Sequence, residues 1–228
     1  MKRLISIIWA SAAVFLMLAG CSKDSVTYSG HEAGNILSGV FTTDNGVEMN
    51  IVGNDGKYDI TTERRVYVDY TTRPGMDAKH IDIDVNRVRD ALMASLIPSG
   101  LLPEETDDAP IQISKAWFDA GYLNLLTSFV GKDLSKHMFS ATYSVTAEGI
   151  TFRLYHDARN EPSASGTAWD VFVCVPMDDI AITYKHCCEA VGKKPLSQIP
   201  FILQWTGNLT GKKALYDIEV TYKPSASN

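Results

Sequence analysis

Beyond residue 30 the chain alternates apolar and polar positions with a period of two over most of its length. In "HIDIDV", residues 80–85, Ile81, Ile83 and Val85 share one side while Asp82 and Asp84 take the other. That pattern is a half-buried strand, so the paired aspartates read as its wet face rather than as an acid/base pair. "RVYVDY", residues 65–70, alternates in the same way. Turn signals separate the runs: Asp44-Asn45-Gly46 lies between predicted strands 36–42 and 47–52, and Asn54 to Lys57 precedes one at 58–62. Asn and Gly tolerate the positive φ such turns need. Seven further strands are predicted at 111–118, 122–129, 138–145, 150–156, 169–175, 199–205 and 216–222. Ile199, Phe201, Leu203 and Trp205 share a face, as do Tyr216, Ile218, Val220 and Tyr222. Short strands at this spacing suit a sandwich of roughly a hundred residues. Residues 178–192 carry two readings: a helix capped by Asp178 or Asp179 and ending at Gly192, or a strand over 180–184.

The first twenty residues depart from this pattern. Lys2 and Arg3 precede an apolar run, 4–17, broken only by Ser6 and Ser11, and the small residues Ala19 and Gly20 lead into Cys21. A basic start, a short apolar stretch and a small-residue exit make a secretory signal peptide. The run is shorter than the ~20 residues a spanning helix needs. "LAGC", Leu18 to Cys21, resembles the lipobox of bacterial lipoproteins. The resemblance implies that the signal, 1–20, is removed and that the Cys21 thiol carries the lipid, with the new amine acylated by a palmitate-type chain. Each buried methylene contributes ~0.8 kcal/mol, so several chains on one cysteine hold the protein to the bilayer. Ser22 stands where an Asp often retains such proteins in the inner membrane, which favours the outer membrane. The acidic content just after Cys21, Asp24 alone, leaves periplasmic against surface exposure open.

Charge and cysteine count narrow the partners. Taking Lys2 and Arg3 from the 21 basic residues leaves 19 against 27 acids, a net charge of −8. That balance argues against nucleic acid, which selects a basic face. Of four cysteines, Cys174, Cys187 and Cys188 remain beyond the anchor, an odd number. Pairing of Cys174 with Cys187 or Cys188 requires their strands to lie close. His186-Cys187-Cys188 lacks the second cluster a four-ligand zinc site needs, so no metal or other cofactor is expected.

Composition shifts once, at 97–110, where three prolines, a glycine and four acids suit a linker. The expected organisation is a signal peptide, 1–20; a lipidated tether, 21–33; a first β unit, 34–97; a linker, 98–110; a β-sandwich, 111–223; and a tail, 224–228. The densest polar cluster is "YHDARNE", with His156, Asp157, Arg159 and Glu161. A histidine beside carboxylates suits a general base, and an arginine suits an anionic substrate. Neighbours on a strand point to opposite faces, however, so His156 and Asp157 cannot both face one ligand without a bulge. Leu154 is expected to point inward, with its neighbours outward or into the loop. Trp117, Trp169 and Trp205 are candidates for a sugar-stacking platform, but isolated tryptophans in strands are more often core.

"IQISKAWFDAGYLNL", 111–125, followed by "ITFRLYHDARNE", 150–161, resembles the NigD-like lipoproteins of gut Gram-negative anaerobes. The specific motifs are "GYLNL" and "LYHDA"; the first half matches in layout. The resemblance implies an all-β protein: a small OB-like barrel followed by an antiparallel β-sandwich. The sequence carries no nucleophile elbow, zincin helix, P-loop or Rossmann glycine pattern. The expected function is therefore a non-catalytic binding module anchored in the envelope, with a protein or glycan partner whose identity the sequence leaves open. An immunity-type or structural envelope protein is the alternative. A hydrolase built on residues 156–161 ranks below both.

Overall fold

The computed structural model describes residues 27–74, 81–98, 101, 108–159, 161, 166–207 and 214–222. Cys21, His80, most of the 98–110 stretch and the tail lie outside them. The described part is all-β, with one α-helix.

The first strands are β1 (Ser29–Leu37), β2 (Val40–Thr43), β3 (Glu48–Gly53), β4 (Arg64–Thr72) and β5 (Asp82–Met93). They run in the order β3-β2-β1-β4-β5, and β3 pairs back onto β5 in parallel, with Ile51 opposite Ile83. Five strands therefore close into a barrel, which removes their edges. Ile36, Phe41, Met49, Val66, Val68 and Ile83 fill it. Over 82–85 the alternation is as expected: Ile83 and Val85 are buried while Asp82 and Asp84 are half-exposed; Ile81 is also half-exposed.

Two local readings change. Residues 36–42 do not form one strand: Ser38 and Gly39, at φ 51° and 81°, turn the chain between β1 and β2. Residues 58–62 are a loop, because side chains satisfy the backbone there. Asn54 brackets Tyr58 through both its amide atoms, and Asp59 accepts from the Thr61 N–H and hydroxyl at 2.8 and 2.7 Å. Local bonds of this kind compete with a sheet ladder. β1 also starts at Ser29, inside the stretch read as tether, because pairing with β4 from Ser29↔Thr71 onward recruits its polar residues.

The remaining elements are β6 (Ser95–Pro98), β7 (Gln112–Asp119), β8 (Tyr122–Gly131), β9 (Met138–Thr146), β10 (Gly149–Asp157), β11 (Thr167–Pro176), α1 (Asp178–Ala190), β12 (Ile199–Gly207) and β13 (Ala214–Tyr222). All seven strands expected after residue 110 are present. β5 runs on past the barrel and pairs in parallel with β11, Ala91 opposite Phe172. One eight-stranded sheet, β3-β2-β1-β4-β5-β11-β8-β7, thus serves both halves. Facing it is a five-stranded sheet, β13-β12-β10-β9-β6, in which β10–β12 and β6–β9 are parallel pairs. Leu123, Leu125, Val173, Phe152, Leu154, Phe201 and Leu203 pack between the layers.

Residues 178–190 are helical. Ile180, Tyr184 and Cys188 recur every fourth position and all are buried, a longer signal than the five-residue alternation at 180–184. Asp178 and Asp179 sit favourably in the first turn, and Gly192, at φ 69°, lets the last carbonyls be capped by the N–H groups of Gly192 and Lys193. The helix also settles the cysteines. Cys188 joins the sandwich core while Cys174 packs in a separate cluster at the seam with the barrel; Cys174, Cys187 and Cys188 are all free thiols.

Candidate functional site

The polar cluster at 156–161 divides between inside and outside. On β10, Phe152, Leu154 and His156 alternate into the interior, with Leu154 1% and His156 2% exposed. His156 lies opposite Phe139 of β9 in the sheet register. A short 3-10 turn, Leu134–Lys136, precedes β9; Asp133 caps it by accepting from the Ser135 N–H at 3.1 Å. The turn delivers His137 into the same interior. His137 Nδ1 and His156 Nε2 are 2.8 Å apart. The Phe129 ring is 4.4 Å from each imidazole centroid. Gly131, at the end of β8, lies against the His137 ring so closely that a Cβ there would stand 2.4 Å from Nε2. The Trp169 indole N–H donates to the Gly131 carbonyl at 2.9 Å and holds that approach in place.

Glu161 closes the cluster. Its Oε2 accepts from the Lys132 N–H at 2.8 Å and stands 3.4 Å from His137 Nε2. The Lys132 N–H, and then His137, hold its carboxyl below the usual range. The Glu161 carboxylate beside His137 Nε2 favours the tautomer with hydrogen on that nitrogen, although the 3.4 Å contact falls short of a hydrogen bond. The contact between the imidazoles has room for a single hydrogen, since one nitrogen must accept. The chain Glu161–His137–His156 is thus a linear relay in form, but both rings are buried under phenylalanines.

Asp157 and Arg159 point elsewhere. Arg159, at φ 52°, folds back so that its N–H donates to Asp157 Oδ1 at 2.7 Å and its Nε meets Oδ2 at 3.2 Å. Of the four candidates, the structure joins His156 and Glu161 through His137 and pairs Asp157 with Arg159 outside. The sequence reading missed His137, which stands nineteen positions before His156 in the chain. The tryptophans do not assemble: Trp117 stacks on Phe172, Trp205 on Tyr216, and Trp169 serves Gly131.

A second buried cluster joins barrel to sandwich. Arg65 of β4 forks onto Asp44, Nη1 and Nη2 each 2.8 Å from a carboxylate oxygen, and Nη2 also donates to Asn124 Oδ1 at 2.8 Å. Its Nε is 3.3 Å from Cys174 Sγ, and its guanidinium lies 4.4 Å above the Tyr122 ring. Burial works against the charge, but the Asp44 carboxylate more than offsets it and raises the Arg65 pKa. Burial also pushes the Cys174 thiol up to about 11, against the pull of Arg65. The "GYLNL" motif is legible here. Ala120 and Gly121, at φ 49° and 80°, make the β7–β8 turn; Tyr122 and Asn124 meet Arg65; Leu123 and Leu125 enter the sandwich core. Two open depressions, one bounded by Tyr58 and Arg64 and one by Ala147, Cys187 and Val191, share no residue with either cluster.

These features define an all-β protein with a closed barrel and a sandwich on one shared sheet, whose buried polar clusters act as internal joints. The chain shares the fold of a NigD-like immunity protein from Bacteroides caccae, at 16% identity over 86% of this chain and 97% of that one, with a TM-score of 0.63. A Bacteroides fragilis protein bearing the name "Putative lipoprotein" is similar at 14% identity, 87% and 100% coverage and a TM-score of 0.60. A protein of unknown function from Bacteroides vulgatus has 12% identity, 87% and 93% coverage and a TM-score of 0.55. At these identities the likeness is one of fold. No family model and no curated protein matches the chain.

Proposed function

We propose that this chain is an outer-membrane lipoprotein, anchored through acylated Cys21, whose barrel and sandwich form a non-catalytic binding module for a protein or glycan. One observation carries the non-catalytic part. Among the described residues, the richest polar run in the sequence does not converge on a cleft: His156 is buried against His137, and Asp157 pairs with Arg159. A general base must reach its substrate's proton, and the described geometry leaves His156 enclosed. The "LAGC" sequence supports the anchor. The name of the Bacteroides fragilis protein accords with it.

An immunity-type role is the second reading, favoured by the name of the Bacteroides caccae protein. The test is mild crosslinking in cells followed by capture of the chain, with fatty-acid labelling of the wild type and of Cys21→Ala. The expected result is label on the wild type alone and a defined crosslinked partner. Persistent label in the variant would overturn the anchor. Turnover of an ester, glycoside or peptide reporter that depends on His156 would overturn the binding module.

A further inference from the structure

The sandwich presents three strands at sheet edges, and they are not alike. β7 carries a bulge between Ile113 and Lys115, and β6 is four residues long and ends in Pro98. Bulges, short length, proline and charged side chains are common means of blunting an edge. Of these, β13 has only the charges of Asp217 and Glu219. It runs nine residues, pairs with β12 in unbroken register from Gly207↔Ala214 to Ile199↔Tyr222, and shows no further partner strand among those described.

Its inner face is also incompletely covered. Phe201 and Leu203 of β12 are buried, yet Ile218 and Val220, their neighbours across the ladder, are only half-buried. Its outer face carries Asp217 and Glu219, both exposed, and among the described residues no ion pair reaches either one. Opposite them on β12 stand Gln204 and Ile202, which supply no charge.

We propose that β13 is a docking strand for an extended, basic segment of a partner protein, which adds to the five-stranded sheet as a sixth strand. Strand addition supplies backbone hydrogen bonds for affinity, and alternate side chains supply specificity. The added strand covers Ile218 and Val220 with its apolar face and sets Lys or Arg opposite Asp217 and Glu219 with its polar one. A second copy of this chain is a poor occupant. Antiparallel self-pairing centred on Asp217, Ile218 or Glu219 sets carboxylates directly opposite each other, which is destabilising. The same two acids thus reject self-pairing and select a basic strand. The proposal rests on the binding-module reading above and names the site and the chemistry of its partner.

The test uses the full chain in detergent and, as probe, a nine-residue peptide alternating Lys with Val, its termini blocked. A Glu/Val peptide is the control. Amide exchange read by mass spectrometry should slow across Ala214–Tyr222 with the basic peptide and not with the acidic one. Replacing both acids, Asp217→Lys with Glu219→Lys, should weaken the basic peptide by about tenfold or more. It should also let the acidic peptide bind, a swap that a misfolded variant would not show. Exchange unchanged at β13, equal protection by both peptides, or dimerisation of the chain through β13 would each overturn the proposal. Protection by the basic peptide elsewhere would do so too, while leaving the binding-module reading in place.

Discussion

His137 Nδ1 and His156 Nε2 meet at 2.8 Å inside the sandwich, between the rings of Phe129 and Phe139. A hydrogen bond so enclosed is costly to break, because the remaining partner stays buried without water. His156→Ala removes a packed ring and the bond together. It should cost about 3 kcal/mol or more, in the range expected for Leu154→Ala, ~2–5 kcal/mol. His156→Phe keeps a ring in place but removes the bond to His137, so a cost of ~1–3 kcal/mol is expected from that bond. Urea melts of the three variants measure this, and 15N spectra of the imidazoles should show His137 bearing hydrogen at Nε2. A neutral effect of His156→Ala would refute the burial on which the argument depends.

Arg65 joins the two halves by holding Asp44 and Asn124 together. Removing one member of a buried ion pair leaves an uncompensated charge, with a cost of ~3–5 kcal/mol. Arg65→Ala should therefore destabilise more than Asn124→Ala, which leaves the Arg65–Asp44 fork intact. Combining Arg65→Ala with Asp44→Ala should restore part of the loss, since no buried carboxylate then remains. Strict additivity in that cycle would show that the pair is not coupled.

Much of this fold was legible from period-two patterning, because strands half-buried on one face must alternate. Every strand expected beyond residue 110 is there, and Ile83 and Val85 face inward as read. Legibility failed where side chains decided the backbone locally. Asn54 and Asp59 made a loop of residues 58–62, and Ser38-Gly39 inserted a turn that the neighbouring Asp44-Asn45-Gly46 signal overshadowed. The clusters were illegible for a different reason. His137 is separated from His156, and Arg65 from Asn124, by long intervening chain, and nothing periodic marks either partner. "GYLNL" and "LYHDA" carried family likeness without announcing that Asn124 and His156 are the residues inside these joints.

Alkaline pH should weaken the fold through the seam. Burial raises the Cys174 thiol to about 11, and burial followed by Asp69 raises the Tyr67 hydroxyl to about 12. Both are acids whose folded pKa lies above the unfolded value, so the unfolded chain loses its protons first. Their contribution is fully present below the unfolded value, near 9 for the thiol, and is lost as pH rises through the folded one. A shift of this size amounts to no more than about 3 kcal/mol for Cys174. Cys174→Ala removes that part of the dependence. The stability gap between variant and wild type should therefore narrow from pH 7.5 to pH 10.5, as read by urea unfolding. A constant gap would show that the thiol does not titrate with folding. At pH 7.5 a maleimide should label half-exposed Cys187 and leave Cys174 and Cys188 untouched.

Proteolysis distinguishes a linker between independent units from one between interlocked ones. The proline- and acid-rich sequence of 101–109 makes it the expected site of first cleavage, apart from Asp108, which pairs with Arg153, and Ala109, which is buried. Were the halves independent, the two fragments would separate after the nick. The strand pairings argue otherwise. β6 lies before the nick yet pairs with β9 after it, Leu96 opposite Ala141, and β5 pairs with β11 in the same manner. Arg65 and Asn124 also belong to different fragments and remain bonded across the seam. The nicked chain should therefore elute as one particle of unchanged size in buffer and fall into two fragments only in denaturant. Separation under native conditions would mean that the shared sheet contributes little. Retention by wild type combined with separation by Arg65→Ala would assign the hold to the ion pair rather than to the strands.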